Sequence, residues 1–170
     1  TTRPNNYIYV SNNYGKTFDQ KHQLHTYRDV VMANDGQIQY ALWSNTINAG
    51  GAAKSTDAGA TWNNLSIQNQ NWVRMAMNPT GNLVSILGNE TAIMSSIDGG
   101  ATFTTDTNSP AAIIAANGGV NWRDIAVSDD GSIRYAVGIG ASTNSGIWKY
   151  SANQWDQISD THKSHMIECS

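Results

Sequence analysis

At 170 residues the chain is long enough for one domain with a real hydrophobic core. Its 10 Lys and Arg against 13 Asp and Glu give a formal charge of -3 with no basic run, which argues against nucleic acid as a partner. No apolar run approaches the roughly 20 residues of a membrane span, and the single cysteine, Cys169, excludes an internal disulfide. Starting at Thr1 without a charged-then-apolar leader, the chain is expected to be either processed or a piece of something longer. The two sequons, at Asn64 and Asn89, are about what a composition rich in Asn, Ser and Thr supplies by chance.

In chain order, residues 7–11 form a strand that enters the octet Ser11-Asn12-Asn13-Tyr14-Gly15-Lys16-Thr17-Phe18, and 17–20 leave it as a second strand. Residues 27–33 then turn at Asn34-Asp35-Gly36 into 38–43, where Ile38, Tyr40 and Leu42 alternate with Gln39 and Ala41 in the period-two signature of a strand. A second octet follows, Ser55-Thr56-Asp57-Ala58-Gly59-Ala60-Thr61-Trp62. Both patterns recur. Residues 72–77 turn at Pro79-Thr80-Gly81 into 83–87, followed by Ser96-Ile97-Asp98-Gly99-Gly100-Ala101-Thr102-Phe103; residues 122–127 turn at Asp129-Asp130-Gly131 into 133–137. A worn fourth copy, Ser151-Ala152-Asn153-Gln154-Trp155, lacks its glycine.

The octet predicts a hairpin. The short polar side chain of Asn13, Asp57 or Asp98 accepts hydrogen bonds from the N–H groups of the turn. Gly15, Gly59 or Gly100, two residues on, supplies the positive φ of a tight reversal, and Phe18, Trp62 or Phe103 opens the next strand with a ring to bury. The turn glycines Gly36, Gly81 and Gly131 lie 45 and 50 residues apart, and Asn13, Asp57 and Asp98 lie 44 and 41 apart, so two independent markers give one period.

A repeat of that length with four short strands predicts an all-β propeller of four-stranded antiparallel blades. The expected organisation is one array over 1–170: a partial blade at 1–20, full blades at 21–66, 67–107 and 108–160, and the start of a further blade at 161–170. The last segment aligns with the innermost strand at 123–128. A propeller must close or leave an open face. The chain is therefore expected to be a slice of a larger ring, the alternative being a four-bladed ring whose last blade combines the two ends.

The pattern Ser-x-Asp-x-Gly-x-Thr-aromatic, carried by Ser11, Asn13, Gly15 and Phe18, by Ser55, Asp57, Gly59 and Trp62, and by Ser96, Asp98, Gly100 and Phe103, resembles the Asp-box or bacterial neuraminidase repeat. The resemblance covers nearly the whole chain at the level of blade grammar. Asp-box propellers include sialidases, xyloglucan-cleaving glycosidases, sorting receptors, a photosystem assembly factor and uncharacterised repeat proteins, which this spelling looks most like. The resemblance places the octet hairpins on the rim or bottom, away from any ligand mouth. A sialidase would also need an arginine triad, a Tyr nucleophile activated by Glu and an Asp acid. Its Phe/Tyr-Arg-Ile-Pro motif is absent, Arg3-Pro4 being only a fragment.

Arg28 and Arg123 share one position of the innermost strand, with Val73 between them, and Asp29 and Asp124 share the next, with Arg74 between them. Repetition favours a structural role or an arginine partner for the two aspartates, over a channel-facing pair for glycoside hydrolysis. One carboxylate per octet favours turn stabilisation over calcium, which needs several oxygens. The pairs His22/His25 and His162/His165 favour solvated loop histidines over a metal site, which would need a third ligand. No cofactor and no metal are expected.

Recognition is expected on the variable loops at 19–26, 66–71 and 105–121 and at 43–51, 88–91 and 138–146, which share one face. Tyr27, Arg28, Trp72, Trp122 and Arg123 stand near it as the candidate ligand face, although the repeated aromatics read better as core. The expected function is a non-catalytic structural or binding module for a protein or glycan partner, at a cell or virion surface or otherwise extracellular, with further blades of the same polypeptide or a second copy as its neighbours. The alternative is a fragment of a sialidase-like or other glycosidase propeller whose catalytic residues lie outside this chain.

Overall fold

The computed structural model describes residues 6–44, 49–89, 93–106, 120–140, 145–159 and 167. Among them the regular structure is all strand. A hairpin of β1 (Asn6–Val10) and β2 (Asp19–His25) precedes a four-stranded sheet of β3 (Tyr27–Met32), β4 (Gln39–Ser44), β5 (Gly50–Ser55) and β6 (Asn63–Asn64). A second sheet comprises β7 (Trp72–Met77), β8 (Val84–Gly88), β9 (Met94–Ser96) and β10 (Thr104–Thr105). The third holds β11 (Val120–Val127), β12 (Arg134–Gly140), β13 (Gly146–Ser151) and β14 (Gln154–Ser159). Within each sheet every strand pairs antiparallel with the next in sequence, and β3, β7 and β11 lie side by side as the innermost strands. This is the architecture of stacked propeller blades.

The hydrophobic core is two interfaces, one between each pair of consecutive sheets. Tyr40, Leu42 and Ala52 of the first sheet meet Trp72, Met75, Val84, Ile86 and Met94 of the second. Leu87 and Ile93 of the second meet Val120, Trp122, Ile125, Ala136, Trp148 and Trp155 of the third. The second sheet lies between the other two and has both faces covered, so β8 is buried throughout; β4 of the first sheet is also buried almost throughout, with Tyr40 and Leu42 facing the second sheet.

Each octet joins the two outer strands of its unit. In the second, Asp57 Oδ1 accepts from the Ser55 hydroxyl at 2.8 Å and from Thr61 N–H at 2.8 Å, Oδ2 accepts from the Thr61 hydroxyl at 2.6 Å, and Gly59 N–H donates to Ser55 Oγ at 2.8 Å. Asp98 repeats this with Ser96 and Thr102. Asn13 keeps the geometry with one polarity reversed, its Nδ2 donating to Thr17 Oγ1 at 2.7 Å. The worn copy is a different device: Ala152 and Asn153 at φ 50° and 65° make the two-residue reversal that matches strand twist without a staple.

Two expectations fail here. Phe18 does not bury its ring as Trp62 and Phe103 partly do; it is 61% exposed. Residues 19–25, expected mostly as a loop with solvated histidines, are strand β2, and His22 and His25 are drawn from solvent into an aromatic cluster. The second pair, His162 and His165, lies outside the described residues, as do most of 161–170 and much of the 105–121 and 138–146 loops.

Candidate functional site

The innermost strands share a defect. Pairing with the next strand runs from Tyr27 opposite Trp43 directly to Asp29 opposite Leu42, skipping Arg28. It runs from Trp72 to Arg74, skipping Val73, and from Trp122 to Asp124, skipping Arg123. A bulge of this kind leaves one residue unpaired and re-aims its side chain. Arg28 and Arg123 are such residues. They converge with Arg74 of the middle sheet on a cleft of about 370 Å³ across the starts of all three innermost strands.

The polar lining is three guanidiniums, Arg28, Arg74 and Arg123, and three amides, Asn71, Asn89 and Asn121, with no carboxylate among the described lining residues. Trp72 and Trp122 also line it, but both belong to the core and are 0% and 1% exposed. Gln68 O accepts the Trp72 indole N–H at 3.1 Å. The middle of the cleft floor is Val73 and Arg74, where Arg74 is exposed and its Nη1 donates to the neighbouring Val73 carbonyl at 3.2 Å. Arg28 is half-buried and Arg123 exposed. Guanidinium and amide side chains carry N–H donors of the kind from which an anion accepts hydrogen bonds.

Asp29 and Asp124 stand beside the bulges and are occupied. Asp29 Oδ1 accepts from Val30 N–H and Oδ2 from Met75 N–H of the next innermost strand, each at 3.0 Å. Asp124 Oδ2 accepts from Ile167 N–H at 3.0 Å. Their partners are therefore backbone amides. Burial pushes the Asp29 carboxyl above its usual range, opposed by the Met75 amide and by the charge of Arg74, while Asp124 raises it further. A glycosidase pair needs one carboxyl ready to give a proton and another facing the sugar, whereas each of these spends an oxygen on a backbone amide outside its own sheet.

Tyr27 belongs to a separate place. Its hydroxyl donates to Gln23 O at 2.8 Å and lies 2.5 Å from His22 Nδ1, while His22 Nε2 is 3.1 Å from Asn64 Oδ1. Trp43 stacks on His25 at 4.2 Å between ring centroids. Burial holds both imidazoles below their usual pKa. Tyr27 also borders a groove of about 490 Å³ between β1 and β3, which includes Tyr9, Val30 and Met32.

The octet residues lie away from both clefts except Ser11, on the edge of the groove. Both carboxyl oxygens of Asp57 and of Asp98 are engaged within their own octets, and among the described residues no group of three or more His, Cys, Asp or Glu could hold a metal ion. The three-arginine convergence was only half visible in the sequence. Arg28 and Arg123 share a repeat position, but Arg74 is one residue out of step with them and joins them only because the bulge turns two successive positions toward one cleft.

No protein-family model and no curated protein matches the chain in sequence. Among solved structures it is similar to the GH74 enzyme of Niastella koreensis, with 18% identity and a TM-score of 0.62 over 92% of this chain and 26% of that one. An ancestral GH74 enzyme gives 14% and 0.71 over 94% and 24%, and YCF48 bound to D1 peptide gives 14% and 0.58 over 91% and 48%. At such identities the likeness shows the fold alone, that of a β-propeller, and the chain spans about a quarter of the GH74 enzymes and about half of YCF48.

Proposed function

We propose that this chain is a non-catalytic propeller module whose arginine cleft binds an acidic segment of a partner protein. One observation carries the reading: Arg28, Arg74 and Arg123 from three sheets face one cleft together with Asn71, Asn89 and Asn121. YCF48, a propeller of related architecture, is seen bound to a peptide. The octets are read as Asp-boxes, turn staples with no part in binding. Residues 1–20, 21–66, 67–107, 108–160 and 161–170 are successive portions of one array, set beside further blades of the same polypeptide or a second copy. The module is assigned to the outside of a cell or a virion surface on the resemblance to Asp-box proteins.

A second reading has the similarity to GH74 enzymes in its favour: the chain is a portion of a glycosidase whose acid and base stand on other blades. Fluorescence polarisation separates the two. A labelled hexaglutamate peptide is expected to bind the full chain more tightly than hexaglutamine, and to weaken steeply with added salt as contacts between opposite charges do. Equal affinity for both peptides, together with binding of xyloglucan oligosaccharide, would overturn the first reading in favour of the second.

A further inference from the structure

Arg74 occupies a position that its neighbours use for something else. The bulges align Asp29, Arg74 and Asp124. Asp29 clips Met75 N–H of the following innermost strand at 3.0 Å, and Asp124 clips Ile167 N–H at the same distance. By equivalence with Asp29 and Met75, the amide that a clip from position 74 would reach is that of Ile125. A guanidinium has five donors and no acceptor, so Arg74 cannot make this clip. The strand–strand tie is thus given up in the middle sheet, at the centre of the cleft, where Arg74 is instead exposed. Arg74 keeps one structural duty, its charge favouring the ionised Asp29 carboxylate, but a repeated local rule broken in one sheet only is where functional or strained positions are found.

We propose that Arg74 is the specificity-determining residue of the cleft, a structural clip position converted to reading the anionic group of the ligand. This rests on the cleft being a ligand site, and it adds which residue selects and what stability was surrendered for it. Arg28 and Arg123 are bulge residues one position before the clip, and Arg28 Nη2 also donates to Ser44 O of its own sheet at 3.4 Å. Arg74 gives its position up to the ligand.

The test compares Arg74→Asn, Arg74→Ala and Arg74→Lys in the full chain. Asparagine is chosen over aspartate because a third carboxylate would repel Asp29, which already feels Asp124, and because Asn13 shows an amide oxygen replacing a carboxylate in such a bond. Hydrogen exchange of the Ile125 amide is expected to be about tenfold slower in Arg74→Asn than in Arg74→Ala. Binding of labelled hexaglutamate is expected to fall about tenfold or more in both, with part retained in Arg74→Lys, which keeps the charge without the fork. Equal Ile125 exchange in the Asn and Ala variants would overturn the clip assignment. Unchanged hexaglutamate binding in Arg74→Asn would overturn the selecting role. If the unsubstituted chain fails to bind hexaglutamate while Arg74→Asn still slows Ile125 exchange, the cleft reading falls and the lost clip stands.

Discussion

Asp57 and Asp98 do with a carboxylate what Asn13 does with an amide, and the difference is charge. Hydrogen bonds from the Thr61 side chain, the Thr61 amide and Ser55 hold the Asp57 carboxyl at about 2, and Thr102 and Ser96 do the same for Asp98. A carboxyl whose folded pKa is depressed contributes stability that is present above its unfolded value and is lost as pH falls through the folded one. The window therefore runs from 3.8, the ordinary value, down to about 2. Thermal melts across that range should show acid lability that shrinks in Asp57→Asn/Asp98→Asn, because the staple geometry survives as it does at Asn13 while the titration disappears. An acid limb as steep in the double variant would show that other groups control it. Burial sets a larger stake at Arg134, whose Nη1 donates to Asp106 at 2.8 Å, with the Trp155 indole donating to the same oxygen at 3.1 Å. Asp106→Ala leaves a buried guanidinium without its counter-ion and is expected to cost roughly 3–5 kcal/mol in urea unfolding. A loss below about 1 kcal/mol would mean that water reaches the site.

Between sheets, the turn glycines have a second duty. Gly81 sits at φ 71°, and a Cβ there would approach Ile38 of the preceding sheet to 2.8 Å. Gly100 is likewise pressed against the Tyr40 ring, whose hydroxyl donates to Gly81 O at 3.0 Å. Residues at or just before the second strand of one sheet thus press on the turn glycines of the next, as Leu83 does on Gly131. Gly81→Ala should cost roughly 1–3 kcal/mol from the backbone alone and more from the contact. Ile38→Ala in the same chain should recover the contact part, and a double-mutant cycle reads the coupling directly. Additive costs would show that only φ matters. The φ requirement was legible from Asn-Asp-Gly and Pro-Thr-Gly between alternating segments, because a turn is written in four consecutive residues. The interlock was not, since the partner of Gly81 lies one repeat away. The same limit hid the bulges at Arg28, Val73 and Arg123, which exist only in pairing register, and the aromatic surroundings of His22. Strands, period and octet staples were legible because each is decided locally. The cleft was visible as scattered arginines without the geometry that gathers them.

Across the whole array, stability is the sum of what each sheet holds and what each interface adds, so protection should follow coverage. The second sheet is covered on both faces, and Met75 is 4% exposed. Its counterpart in the first sheet, Val30, is 49% exposed and Met32 is 60%, since little but β1 lies beyond β3. The β1–β2 hairpin is tied down chiefly through His22 and His25 against Tyr27, Trp43 and Trp62. Both ring nitrogens of His25 are shielded and meet no hydrogen-bond partner among the described residues. The titratable groups facing it are His22 on its own strand and Tyr27 on β3, while β4 offers only the uncharged Trp43. Burial first, and the charge of His22 second, lower its pKa from 6.5. For a base this means that docking is at full strength above 6.5 and weakens as pH falls below it. Native-state hydrogen exchange, corrected for intrinsic rates, should find Tyr9 and Lys21 opening before Met75 and Ile86. The gap should widen between about pH 7 and about pH 5, and His25→Phe should shrink that widening to the part that His22 contributes while keeping the stack on Trp43. If hairpin and middle sheet open together at every pH, the array behaves as one cooperative unit and the histidine contacts are not what fastens its first member.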